Sequence, residues 1–164
     1  MITLPDSNIR TLAPLSELDY FDSQNATMAK EISPLEAWNL IMEDRQPLLK
    51  FAFRIRDAIS TRFGVKRIGG FSGPAGDSVK VGDHLDFFLV EYQDDEVIVL
   101  TDRDRHLTNM TCIASKDAVL SISSSVSVHN LYGRIYMIPV GLAHKVIVKT
   151  MLRRLQRKLD LLRR

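Results

Sequence analysis

Four histidines, one cysteine and a run of alternating serines are the side chains with which this chain could do chemistry. His84, His106, His129 and His144 contain no HExxH pair, and no two lie three to five residues apart, so no local chelate forms and no metal site is expected. His84, beside Asp83, reads as a polar surface residue. His129 and Arg134 are more informative. Were residues 130–133 a turn, His129 would face Arg134 and Ser127 would face Tyr136 on one side of a hairpin. Val128 would then face Ile135, and Val126 would face Met137, on the other. Turned towards a cavity, Arg134 could hold a carboxylate or enolate oxygen while His129 or Tyr136 moves a proton. Turned outward, the same residues are a cross-strand polar cluster. His106 leads a strand after the acidic turn Asp102–Asp104. His144 stands three and four residues before Ile147 and Val148 and shares their buried side. Each is either a hydrogen-bonded core residue or the polar end of a mostly apolar pocket.

The remaining candidates carry less. Ser121, Ser123, Ser125 and Ser127 alternate with apolar residues inside a strand pattern. A nucleophilic serine needs a strained turn and an aligned base, so these read as a solvated strand face. Cys112 has no second cysteine and no basic flank, which predicts a packed thiol and excludes an internal disulfide. Five of the eight glycines fall between Gly69 and Gly82, but neither GxxxxGK[ST] nor GxGxxG is present. That stretch therefore reads as a mobile strand-to-strand loop rather than a phosphate cradle, and no cofactor is expected. Arg54 and Asp57 can pair across one helical turn, and Arg56 with Asp57 could guard a cavity mouth.

Periodicity predicts the elements that position these residues. The 164 residues suit one domain spanning 1–164, with 45% hydrophobic and 26% charged side chains. No apolar run approaches the roughly 18–20 residues of a membrane-spanning helix, and no leader pattern opens the chain, so a cytoplasmic setting is expected. An extended piece falls near residues 20–28. Ser33-Pro34-Leu35-Glu36 is a helix start with a capping box, and Leu35, Trp38, Ile41 and Met42 share one side of that helix. A second short helix covers 48–63 and stops at Gly64. Strand-like runs follow at 85–92, 97–101, 106–113, 119–130 and 132–138, the first four separated by short acidic turns that make neighbours antiparallel. Gly141 then opens a long amphipathic helix, with Ile147, Val148, Met151, Leu152, Leu155, Leu159 and Leu162 on its expected buried stripe.

The fold class is α+β. A curved antiparallel sheet must cover one face, and only the long C-terminal helix can do it, so the sheet wraps that helix in a helix-grip while the two short helices close one end. A pocket between sheet and helix would take Phe87, Leu89, Val99, Met137 and Met151 as apolar lining. His106, Tyr136 and His144 would be its polar groups, joined by His129 and Arg134 if their face turns inward.

Charge is uneven. Residues 145–164 hold eight basic side chains against Asp160, a net +7, which leaves −5 on the rest of a chain whose total is +2. A basic end on an acidic body suits a phosphate-rich partner or anionic lipid, or else a solvated face whose cations offset the helix dipole. Aromatics are absent from 145–164, so no nucleic-acid partner is expected. The helix's apolar stripe is committed to the core, so no membrane insertion is expected either.

Arg56-Asp57, Val81-Gly82-Asp83, His106-Leu107, Val128-His129-Asn130, Gly133-Arg134-Ile135-Tyr136, Pro139, His144, Ile147-Val148 and Met151-Leu152-Arg153-Arg154 resemble the bacterial family named domain of unknown function 2867. The element order is similar to the START and polyketide-cyclase superfamily (SRPBCC), which includes the birch pollen allergen. The resemblance runs from about residue 12 and implies a hydrophobic cavity for a lipid, polyketide, hormone or aromatic ligand. Family members occur alone or fused to a nucleotide-binding reductase-like domain, which implies a functional link to such a protein. Asn109 and Thr111 depart from the pattern, standing where apolar cavity-facing residues are expected. The leading expectation is thus a domain that binds a hydrophobic or amphipathic small molecule. An acid–base enzyme of cyclase, hydrolase or isomerase type using the same cavity is the alternative, and an interaction module working through the basic helix is a third reading.

Overall fold

A computed structural model describes residues 1–43 and 71–162. In chain order these form β1 (Ile2–Thr3), β2 (Arg10–Thr11), a single 3-10 turn (Leu15–Glu17), β3 (Tyr20–Thr27) and α1 (Pro34–Glu43). Then come β4 (His84–Leu85), β5 (Phe88–Gln93), β6 (Val97–Arg103), β7 (Leu107–Lys116), β8 (Val119–Val128) and α2 (Leu131–Leu162). The arrangement is α+β. Strands β4 to β8 form an antiparallel meander, and β3 pairs along the whole of β8, giving a six-stranded sheet ordered β3-β8-β7-β6-β5-β4.

Short-range chemistry accounts for the element boundaries. The Ser33 hydroxyl accepts the Glu36 amide at 3.1 Å and caps α1, with Pro34 at its first position. Asp94 turns β5 into β6 by accepting the amides of Glu96 and Val97, and Asp104 turns β6 into β7 by accepting those of His106 and Leu107. Asp117 and Ala118, with φ of 52° and 60°, make the two-residue turn between β7 and β8.

The sheet is buried on both faces. On one face Val90, Ile98, Leu100, Ile113, Leu120 and Ile122 pack with α1 and with Val148, Met151, Leu152, Leu155 and Leu159 of α2. On the other, Val97, Val99, Met110, Cys112 and Ala114 form a second cluster under Ile9 and Leu12 of the N-terminal arm. The continuous apolar run of β6, buried from Val97 to Thr101, follows from having neighbours on both sides.

Several expectations need correction. Residues 132–138 are not a strand but the opening turns of α2, which starts ten residues before Gly141. Their aromatic and β-branched residues favour a strand, and Pro139 inside the helix forfeits one backbone bond. Local capping overrides both. The Asn130 side-chain oxygen accepts the Gly133 amide at 3.1 Å, as an N-cap does, and Gly133 lets the helix start lie against the His106 carbonyl. A Cβ at that position would sit 2.6 Å from this oxygen.

The 85–92 strand is likewise broken, by a turn at Asp86 (φ 57°) and Phe87 that carries β4 into β5. The serine face is not solvated. Ser123 and Ser125 are 1% exposed; Ser123 bonds Ser23, and Ser125 accepts the Leu12 amide beneath the arm. The glycine stretch is tied down where it is described, because Asn39 of α1 bonds both the Ala75 amide and the Gly76 carbonyl. Finally, α2 is over 18 residues apolar enough, by length and composition, to cross a membrane, which no uninterrupted run in the sequence suggests. The expected second helix at 48–63, with Arg54, Arg56 and Asp57, lies outside the described residues.

Candidate functional site

The first half of α2 and the sheet face beneath it do not fill the space between them. A cavity of about 240 Å³ remains, walled by β3, β6, β7 and β8 on one side, by α2 on another, and by α1 with Phe71, Phe87 and Phe88 at one end. This is slightly below the roughly 300–1,000 Å³ usual for drug-sized ligands.

Its apolar end is aromatic. Trp38 from α1 meets Phe71 and Phe88 edge-on, with ring centroids 5.5 Å and 6.3 Å apart, and Phe87 lies 4.3 Å from Phe88. The Asp86–Phe87 turn, rather than strand alternation, brings Phe87 to this end beside Phe88.

A polar strip crosses the sheet wall. The register sets Thr111 opposite Ser124, and Asn109 opposite Val126. The Ser124 hydroxyl lies 3.4 Å from that of Thr111 and 3.1 Å from Nε2 of His144 on α2. Asn109 and Thr111 thus occupy the cavity-facing positions at which the family resemblance predicts apolar residues. Tyr20 closes the strip, its ring edge-on to His144 with centroids 6.3 Å apart and its hydroxyl donating to the Gly141 carbonyl at 3.0 Å. Gly141 belongs to this contact, since a Cβ there would stand 2.8 Å from the Tyr20 ring.

Electrostatics leave the strip neutral at ordinary pH. Burial pushes the His144 imidazole below its usual range, against a smaller upward pull from the Asp22 carboxylate. Burial, with Asp22 adding to it, pushes the Tyr20 phenol up to about 12. Among the described residues, the buried Nδ1 of His144 and Nε1 of Trp38 have no hydrogen-bond partner.

The other end of the cavity is held by His106 and its neighbours. The Arg105 Nε–H donates to His106 Nε2 at 2.9 Å, which leaves Nδ1 as the protonated nitrogen, 3.1 Å from the Asn130 oxygen. Asn130 in turn donates to the Arg105 carbonyl. Tyr132 lies against the imidazole, ring centroids 4.5 Å apart. Both nitrogens of His106 are therefore engaged, and the ring braces the start of α2.

Of the expected site residues, His106, Tyr136, His144, Phe87, Met137 and Met151 line the cavity. Leu89 and Val99 do not. Leu89 pairs with Thr101 and Val99 with Cys112, which places both on the sheet face away from the cavity, where Val99 packs in the cluster under the N-terminal arm. His129 and Arg134 do not meet across a hairpin, because the second strand is helix. His129 is exposed and bonds Thr108 at 3.0 Å, and Arg134 is exposed on α2. Their proposed proton-transfer pairing is corrected accordingly. Trp38, Tyr20 and Ser124 were missed. The parity of β8 against β7 was the signal for Ser124, but Trp38 and Tyr20 come from elements far apart in sequence.

Ser124 and His144 have the spacing of a nucleophile and its base, yet Nδ1 carries no carboxylate and Ser124 sits in the middle of a strand rather than on a strained turn. The strip is suited to hold a polar group rather than to attack one. Among the described residues no group of three or more His, Cys, Asp or Glu side chains could hold a metal ion.

No curated protein and no solved structure matches the chain. A family model does, over residues 14–151, a span that holds β3, α1, the whole meander and the cavity-lining half of α2, and the chain belongs to the family described as Protein of unknown function (DUF2867).

Proposed function

We propose that this protein is a small-molecule-binding domain of the START-like, helix-grip type, and that its ligand is a compact amphipathic molecule with a planar aromatic part. The observation that carries this reading is a pair of buried polar atoms without a partner among the described residues, His144 Nδ1 and Trp38 Nε1, in a cavity with one aromatic end. A buried donor left unpaired costs about 1–3 kcal/mol, and a ligand that supplies its partner recovers that free energy on binding. The volume favours a ligand of one or two rings over a long-chain lipid. The aromatic wall would stack on the ligand's rings, while a ligand oxygen would take the Trp38 N–H or meet His144.

Native mass spectrometry of gently purified protein, followed by incubation with a panel of mono- and bicyclic aromatic acids and phenols, tests this. The expected result is a stoichiometric adduct that Trp38→Phe weakens about tenfold or more, the loss of a buried hydrogen bond. A bare mass throughout, with no member of the panel shifting the melting temperature, would sink the proposal.

A further inference from the structure

The half of α2 that borders the cavity on its inner side is apolar on its outer side as well. Leu131, Ile135, Ile138, Leu142 and Val146 recur at intervals of three and four residues, which aligns them on one helix face, and they are between 57% and 72% exposed. Single exposed apolar residues are ordinary, but a contiguous row over four turns marks an interaction surface. Only 22% of the most apolar 18-residue stretch of this helix is buried. The row continues at the same spacing into Lys149 and Arg153, both exposed, and Arg134 borders it. One outward face is therefore apolar along its first half and cationic after it.

That order of chemistry selects the occupant. A second copy packed antiparallel with the apolar rows matched, Leu131 against Val146, would leave Lys149 and Arg153 outside the contact and make no use of the charge. Packed parallel, it would bring like charges together. An anionic lipid surface satisfies both halves, with the apolar row entering the acyl boundary and the cations lying at the headgroup phosphates. The inner stripe of α2 stays in the core through Val148, Met151, Leu152 and Leu155, which limits the contact to the interface. We infer that the outer face of α2 docks this protein reversibly on anionic membrane surfaces. The docking needs no cavity ligand, so it stands or falls apart from the proposed function.

Sedimentation with phosphatidylcholine vesicles, with and without an equal share of phosphatidylglycerol, provides the test. The wild-type chain is expected to partition on the anionic vesicles only, and less so as salt rises. Ile138→Gln with Leu142→Gln, and separately Lys149→Glu with Arg153→Glu, should each weaken partitioning about tenfold or more. All four side chains are exposed, and an unchanged melting temperature would confirm that the variants fold. Wild-type protein left in the supernatant with anionic vesicles overturns the inference. So does a concentration-dependent dimer in light scattering that Ile138→Gln with Leu142→Gln abolishes, since a second copy would then cover the face.

Discussion

Nε2 of His144 on α2 lies 3.1 Å from the Ser124 hydroxyl on β8 and ties the C-terminal helix to the sheet across a cavity that both residues line. The bond joins a polar side chain on the inner face of the helix's first half to the polar strip that alternation places on the sheet.

Burial lowers the His144 pKa below the ordinary imidazole value of 6.5, so the folded chain binds its proton less readily than the unfolded chain. Its contribution to stability is therefore fully present above that value and declines as pH falls through it towards the folded pKa. The melting temperature should drop between neutral pH and about pH 5, and His144→Gln should flatten that part of the profile. Parallel curves for the two proteins would show that His144 is not the titrating group.

Gly133 and Asn130 set where α2 begins. Gly133→Ala would press a methyl group against the His106 carbonyl and Val128, and should cost about 1–3 kcal/mol in urea unfolding, as overpacking does. Asn130→Ala removes the cap and a His106 partner together and should cost at least about 1 kcal/mol. Gly141→Ala should cost less than Gly133→Ala, because its obstacle is the Tyr20 ring rather than a backbone carbonyl.

Filling the cavity should separate binding from stability. Val140→Phe extends a ring from α2 into the space and should reduce binding of any cavity ligand at least about tenfold, while raising stability by about 0.5–2 kcal/mol as cavity filling does. Isothermal titration and chemical denaturation on the same sample would read both. A stability loss instead would mean that the space is already occupied in solution.

The Cys112 thiol is buried on the opposite sheet face, accepts the Arg10 amide at 3.3 Å and is pushed up to about 11 by burial. At pH 8 a disulfide labelling reagent should react only as fast as the N-terminal arm opens. Deleting residues 1–12 should accelerate labelling about tenfold or more. Equal rates for the two proteins would show that the arm does not control access.

Local residue chemistry determined much of this protein before any tertiary contact entered. The Ser33-Pro34-Glu36 start of α1, the acidic turns at Asp94 and Asp104, the consecutive antiparallel strands and the buried stripe from Val148 to Leu159 each depend on neighbours within a few positions. For that reason they were legible in the sequence. So were His144 and Met151 as inward-facing residues, since helical spacing sets their side.

What only the tertiary structure decided falls into two kinds. The first is the conformation of residues 132–138, where strand propensity and Pro139 point one way, while the Asn130 cap and the close approach of Gly133 to His106 point the other. Propensity differences are fractions of a kcal/mol per residue, so a cap and a packed helix face outweigh them. That reversal separates His129 from Arg134.

The second is the assignment of sheet faces. Period-two alternation sorts residues into two sets but does not say which set meets the helix, and here the N-terminal arm buries the other one. Val99 and Leu89 consequently lie away from the cavity, the serines lie beneath the arm, and Asn109 and Thr111 face the cavity. The cavity itself is a shortfall of side-chain volume between α2 and the sheet. A shortfall of that kind arises only where elements distant in sequence come together.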